Sequence, residues 1–209
     1  MDFGPMNYEY QPVGNAAAYT LLLLHGTGGD EHDLFPLAGK LGKGFNLLGL
    51  RGNVEEYGMP RFFRRLGMGV FDEADVHFRT HEMVHFLEKL SGTEGFDINK
   101  MIAVGYSNGA NIAGAALILY PELLAGAVLF RPMQPLSGIE ESFETQRQQP
   151  VFMSSGTQDG TVNPAATAAY AALLSGNGFK VDTYDINTGH NLVQQDITLA
   201  AAWMKTHFQ

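Results

Sequence analysis

The 209-residue chain contains no cysteine. That excludes disulfides and a thiol nucleophile, and it suits the reducing cytoplasm, which is the expected location. Basic residues are scarce: 13 Lys and Arg stand against 22 Asp and Glu, for a formal net charge of -9. Such a surface repels phosphate backbones, so no nucleic-acid partner is expected. Long apolar runs are missing as well. The longest, such as residues 16–24, are too short to cross a bilayer and include Tyr19 and Thr20, so no membrane partner is expected. Residues 1–10 carry Asp2 and Glu9 without a basic or apolar run, unlike a secretory signal. What is present is an ordinary globular balance, 45% hydrophobic and 17% charged. The length suits one domain over residues 1–209, and no repeat, low-complexity tract or linker divides it.

Apolar runs of strand length alternate with helical patterns. Residues 19–25 (YTLLLLH) form a continuous apolar run ending at Gly26, as a strand buried on both faces would. Leu34, Leu37, Ala38 and Leu41 then recur at helical spacing, with Asp30 as the expected cap. Further strands are expected at residues 46–50, 101–105, 125–130, 151–154 and 181–186. Helices are expected at residues 73–90, 108–120, about 163–175 and 192–207. Residues 51–72 have no period and hold Gly52, Gly58, Pro60, Gly67 and Gly69, which reads as a long loop. Repeated β-then-α order predicts an α/β fold with a mostly parallel, doubly wound sheet and helices on both faces. Ligands in such folds sit at the carboxyl ends of the strands.

One such strand runs directly into Gly105-Tyr106-Ser107-Asn108-Gly109, which matches G-x-S-x-G. A serine on a sharp strand-to-helix turn is thrust up at the sheet edge, and the tight backbone wants glycine two residues either side. Composition alone gives about 0.1 such matches in a chain like this, so the strand-to-helix context is what gives the pattern weight. A nucleophilic serine needs a base and a group to orient that base, in the order Ser, acid, His on this kind of fold. His190 follows the last strand, whereas His207 lies within the final helix. Asp159 lies between Ser107 and His190 on a loop leaving a strand. Asp182 and Asp185 lie within a strand, and Asp196 in a helix. The expected catalytic residues are therefore Ser107, Asp159 and His190. An oxyanion hole needs two backbone N–H groups. Asn108, after the nucleophile, supplies one. Thr27, in the loop His25-Gly26-Thr27-Gly28-Gly29-Asp30, supplies the other. That loop lacks the G-x-G-x-x-G of a dinucleotide site.

These residues together resemble the phospholipase/carboxylesterase family of α/β-hydrolases, which includes small bacterial carboxylesterases related to acyl-protein thioesterases. The resemblance runs along nearly the whole chain, carried by residues 24–30 and 105–109, Asp159 and Gly189-His190. Arg51-Gly52-Asn53-Val54 and residues 58–65 are similar to one bacterial subgroup. The resemblance implies an α/β-hydrolase fold, and a domain of this size is expected to carry no separate lid domain. The resemblance also implies a Ser107–Asp159–His190 triad and esterase or thioesterase chemistry on a small-molecule acyl ester, with no metal or other cofactor. Thioesterase members usually carry leucine after His-Gly and glutamine after the serine, where this chain has Thr27 and Asn108. Because the hole uses backbone groups, this departure bears on substrate preference. A homodimer is left open.

Two features compete with that reading or extend it. His81-Glu82-Met83-Val84-His85 matches H-E-x-x-H, the zinc-protease signature. On a helix, Met83, Phe86, Leu87 and Leu90 share a stripe, which places His77, His81 and His85 on the opposite, watery side. The extended signature would also need glycine at Glu88 and histidine at Ser91. A solvated face is therefore expected, with a zinc metallopeptidase using His81, Glu82 and His85 as the alternative. A non-catalytic binding protein that kept the fold is a second alternative. Four of the seven arginines, Arg51, Arg61, Arg64 and Arg65, crowd residues 51–65. They are candidates for binding an acidic group on the substrate. The competing reading, surface charge on an acidic protein, stands slightly ahead of it.

Overall fold

A computed structural model describes residues 3–15, 17–137, 139 and 143–209. Met1, Asp2 and Ala16, which entered the readings of the N-terminal charge and of the first apolar run, lie outside the described residues. In chain order the elements are β1 Tyr8–Gln11, β2 Thr20–Leu24, α1 Phe35–Leu41, β3 Asn46–Leu50, β4 Val54–Glu56, β5 Met59–Arg61, β6 Arg65–Gly67 and β7 Val70–Phe71. There follow α2 Glu73–Glu94, β8 Met101–Tyr106, α3 Asn108–Leu119, β9 Gly126–Phe130, β10 Pro150–Gly156, α4 Pro164–Gly176, β11 Lys180–Ile186 and α5 Gln194–Phe208.

Seven strands form the central sheet in the order β1-β3-β2-β8-β9-β10-β11. All neighbours run parallel except β1, which pairs antiparallel with β3. The apolar runs are continuous because both faces of the sheet are covered. Leu22 and Leu24 of β2 and Met101 and Ala103 of β8 pack into one core with α2, α3 and α4. Leu21 and Leu23, with Ile102 and Val104, pack into a second core with α1 and α5. Among the described residues no separate lid domain covers the sheet's carboxyl edge.

Strand order reverses between β2 and β8: the chain leaves β2 for β3 on one side, then returns to β8 on the other. A crevice opens at such a switch point, at the carboxyl ends of the strands. The register aligns these ends, with Leu24 opposite both Leu50 and Gly105, and Tyr106 opposite Phe130.

Two expectations need correcting, and one element was not foreseen. Asp30 does not cap α1, whose N-cap is Leu34; Asp30 instead accepts from the His32 amide within its own turn. Residues 51–72 are not structureless, since β4–β5 and β6–β7 are two short antiparallel hairpins. Strands of two or three residues are too short to show a period, so their signal was absent from the sequence. Strand β1 was also missed, although Tyr8-Glu9-Tyr10-Gln11 alternates aromatic and polar residues.

Candidate active site

Ser107 is the single residue between β8 and α3, and its backbone is at φ 53° and ψ -112°. A non-glycine residue there stores roughly 1–3 kcal/mol of strain and persists only if its surroundings impose it. They do: the Ser107 amide donates to Phe130 O at 2.9 Å, and Ser107 O accepts from the Asn111 amide at 3.0 Å. The flanking glycines are dictated by the same turn. A Cβ on Gly105 would lie 2.5 Å from Gly109 O and 2.6 Å from Ala110 N. One on Gly109 would strike the Leu24 backbone and come within 2.6 Å of His25 O. The sharp elbow thus rests directly on the end of β2.

The loop after β11 brings His190 to Ser107, with Nε2 to Oγ at 2.9 Å. The other ring nitrogen, Nδ1, stands 2.7 Å from Asp159 Oδ2 on the loop after β10. Asp159 Oδ1 accepts from the amides of Thr161 at 2.7 Å and Val162 at 3.0 Å. Burial would by itself raise this carboxyl's pKa, but His190 and the two amides outweigh it and hold the pKa below its ordinary value. An ionised Asp159 only accepts, so Nδ1 carries the proton and Nε2 is left to accept from the Ser107 hydroxyl. The competing acids have other partners. Asp182 accepts from Trp203 Nε1, Asp185 from Ser155 Oγ, and Asp196 pairs with Arg131. His207, in α5, stands 3.8 Å from Asp182.

Thr27 and Asn108 line the same small cavity as Ser107 and His190. Asn108 opens α3, so its N–H has no partner within the helix. The Thr27 loop is locked by His25, a buried residue whose Nδ1 donates to Gly26 O at 2.6 Å while Nε2 accepts from the Gly52 amide at 3.1 Å. Burial lowers the His25 pKa, which favours the neutral ring that this pairing needs. The Asn108 side chain accepts from the Phe62 amide at 2.7 Å, tying the elbow to β5 and the residues after it. Neither His25 nor the Asn108 side chain was assigned this task from sequence.

The four candidate arginines divide. Arg51 forms a two-point pair with Glu31 at 2.5 and 2.9 Å, and the largely exposed Arg64 pairs with Asp72 at 3.0 Å. Neither lines the cavity, so the expected cluster of four narrows to Arg61 and Arg65. Arg61 is buried, donating to Thr27 Oγ1 at 2.7 Å and Phe63 O at 3.2 Å. Its pKa is lowered by burial first and by Arg65 second, with Glu56 opposing. Glu56 is the carboxylate shared by both, 3.6 Å from Arg61 and 2.8 Å from Arg65. The cavity measures about 50 Å³, with Met68, Phe71, Met133 and Val162 among its apolar walls. Arg131 also lines it and was not singled out from sequence. Its position one residue past the β9 strand was the available signal.

The H-E-x-x-H residues do not converge. Glu82 is buried and bonded to Arg79, His81 Nδ1 is 2.6 Å from Tyr120 Oη, and the His85 ring packs against Phe3. The expected solvated face is corrected here: His77, His81 and His85 are all half-buried, because α3 and the N-terminal segment cover that side of α2. Among the described residues no group of three or more His, Asp or Glu side chains is placed to hold a metal ion.

A parallel sheet reversing at β2 and β8, with a serine elbow and a histidine–aspartate pair at its carboxyl edge, defines the α/β-hydrolase class. The family model for phospholipases and carboxylesterases matches residues 56–208, and the chain belongs to that family. It is 43% identical over 185 residues to MhqD of Bacillus subtilis (strain 168), spanning 88% of this chain and 92% of that protein. The crystal structure of the Bacillus cereus carboxylesterase superposes with a TM-score of 0.92 at 41% identity, covering 97% of this chain and 95% of that one. The structure of YahD with malic acid superposes with a TM-score of 0.90 at 28% identity, covering 97% of this chain and 99% of that one.

Proposed function

We propose that the protein is a serine carboxylic-ester hydrolase that works through an acyl-enzyme on Ser107. The observation that carries this is the continuous hydrogen-bonded path from Ser107 Oγ through His190 to Asp159, at 2.9 and 2.7 Å, beside two candidate oxyanion donors. In the first half-reaction Ser107 Oγ attacks the ester carbonyl carbon while His190 Nε2 takes the hydroxyl proton. Charge gathering on the carbonyl oxygen is met by the N–H groups of Thr27 and Asn108 and by the positive end of α3. Collapse breaks the bond to the alcohol, which leaves with the proton from His190. In the second half a water molecule repeats the attack and frees the acid. Asp159 fixes the tautomer throughout and stabilises the transient imidazolium.

The same geometry favours short acyl groups and an anionic end. Room of about 50 Å³ beside Ser107 suits only a few heavy atoms. Two guanidinium groups share one carboxylate, which leaves a positive surplus in that space. The malic acid held by YahD is a small anion of the kind such a surplus would select.

Ser107→Ala tests the central step. The expected loss in kcat on short-chain esters is on the order of 10⁶, because triad members act as a unit. A fluorophosphonate should add once per chain, on the peptide bearing Ser107. An adduct elsewhere, or a fully active Ser107→Ala protein, would overturn the reading.

A further inference from the structure

Arg131 stands immediately after β9 at φ 56°, a left-handed backbone that a long side chain rarely adopts. Its amide donates to Ser154 O at 2.8 Å at the neighbouring end of β10. The side chain is wholly buried, as is that of Asp196 in the first turn of α5. Nη1 donates to Asp196 Oδ1 at 2.7 Å and Nη2 to Oδ2 at 2.9 Å, a two-pronged pair. The other three donors reach Ser154 Oγ at 2.8 Å, Gly189 O at 3.3 Å and Asn191 O at 3.2 Å. Asp196 in turn accepts from Ser154 Oγ at 2.8 Å and from the Val193 amide at 2.9 Å. The carbonyl between the two that Arg131 grips, His190 O, accepts from Tyr106 Oη at 3.2 Å.

A guanidinium has five N–H donors, and all five are spent here. Arg131 therefore has none left for a substrate, although it borders the cavity. The burial of the pair is by itself weak evidence for a stabilising role. Replacing a buried ion pair with apolar side chains of similar size is often neutral or stabilising, and in some proteins such a pair serves to fix a geometry. The geometry fixed here is the backbone of three consecutive residues, 189–191, with His190 at their centre.

We propose that the Arg131–Asp196 pair is a positioning device: it clamps the loop that carries His190, so that the imidazole meets Ser107 and Asp159 together. The inference rests on the hydrolase reading above. Arg131 and Asp196 are positioning residues that act through His190.

The decisive variant is the full-length double replacement R131M/D196L, which leaves no orphaned buried charge. R131K serves as the conservative companion, keeping the cation but not the fork. Both are compared with the parent for thermal unfolding, for kcat and KM on p-nitrophenyl acetate, and for the downfield proton NMR signal of His190 Nδ1–H. The double variant should fold, lose about 10- to 100-fold in kcat with KM nearly unchanged, and lose or broaden the NMR signal, since small misplacements of a catalytic group cost about that much. R131K should fall between. Parental kcat in the double variant overturns the proposal, and so does reduced kcat with the Nδ1–H signal intact. Should the double variant fail to fold, R131K decides: parental kcat and signal overturn the proposal, while a joint loss supports it. If Ser107→Ala stays fully active, the hydrolase reading has failed. The NMR signal still reports whether the clamp holds His190 against Asp159.

Discussion

Two helices in this molecule carry recognisable catalytic motifs, and their surroundings differ in every respect that matters. At the start of α3, Ser107 sits on a strained turn whose flanking glycines touch the end of β2, and a histidine from 83 residues downstream arrives at 2.9 Å. Within α2, His81, Glu82 and His85 occupy ordinary helical backbone, and each is engaged by a different neighbour. Both motifs match in sequence, yet the first is the one that geometry supports. A motif acquires chemical meaning from the backbone it stands on and from the edge of the sheet it faces.

That contrast can be broken at graded points. After the Ser107 replacement, the largest expected loss is in Asp159→Asn, about 10⁴-fold in kcat, because an amide can hold the imidazole in the wrong tautomer. Asp182→Asn and Asp185→Asn, whose carboxylates serve Trp203 and Ser155, should stay close to the parent. A greater loss in either, with the fold intact, would reassign the acid. The depressed Asp159 carboxyl also contributes stability that is present above its ordinary pKa of 3.8 and lost as pH falls through its lower folded value. Thermal unfolding of parent and Asp159→Asn should therefore differ least at the acid end, below about pH 4.

A smaller effect is expected from the charge balance of the cavity wall. Arg65→Met should lower kcat/KM for short esters bearing a carboxylate by about ten-fold relative to matched neutral esters, about 1.4 kcal/mol. Glu56→Gln, which removes the shared counter-ion, should move the ratio the other way. Equal losses on both ester classes would show that these residues only shape the pocket. The smallest effect is expected in α2. The double change His81→Ala with His85→Ala, and dialysis against a chelator, should each leave esterase activity within about two-fold of the parent, as for a site outside the reaction. Loss on chelation that zinc restores would revive the metallopeptidase alternative.

Much of the fold was legible because buried parallel strands write themselves as unbroken apolar runs. Residues 46–50 were placed without error, and β2, β8, β9, β10 and β11 to within two residues. Helices α3, α4 and α5 also lay close to their expected bounds, whereas α2, the longest, runs four residues past the expected end at 90. The α1 cap was misplaced because Asp30 has a nearer amide to satisfy in its own turn. The solvated face of α2 was misjudged because helical periodicity describes one helix in isolation. Tyr120 and Phe3, which cover that side, come from elsewhere in the chain.

The sequence by itself determined which residues could do the chemistry. Gly105, Ser107 and Gly109 are local requirements of one sharp turn, and the order Ser, Asp, His follows from the order in which parallel strands deliver their carboxyl ends. Which arginine faces the cavity, which carboxylate each one finds, and what holds His190 in place were decided only by tertiary structure. Those outcomes depend on partners such as Glu31, Glu56 and Asp196, whose pairing reflects distance in space, a quantity that spacing along the chain does not carry. A strained turn is encoded by its neighbours in sequence, whereas an ion pair between residues 131 and 196 exists only once β9, β10 and α5 have packed together.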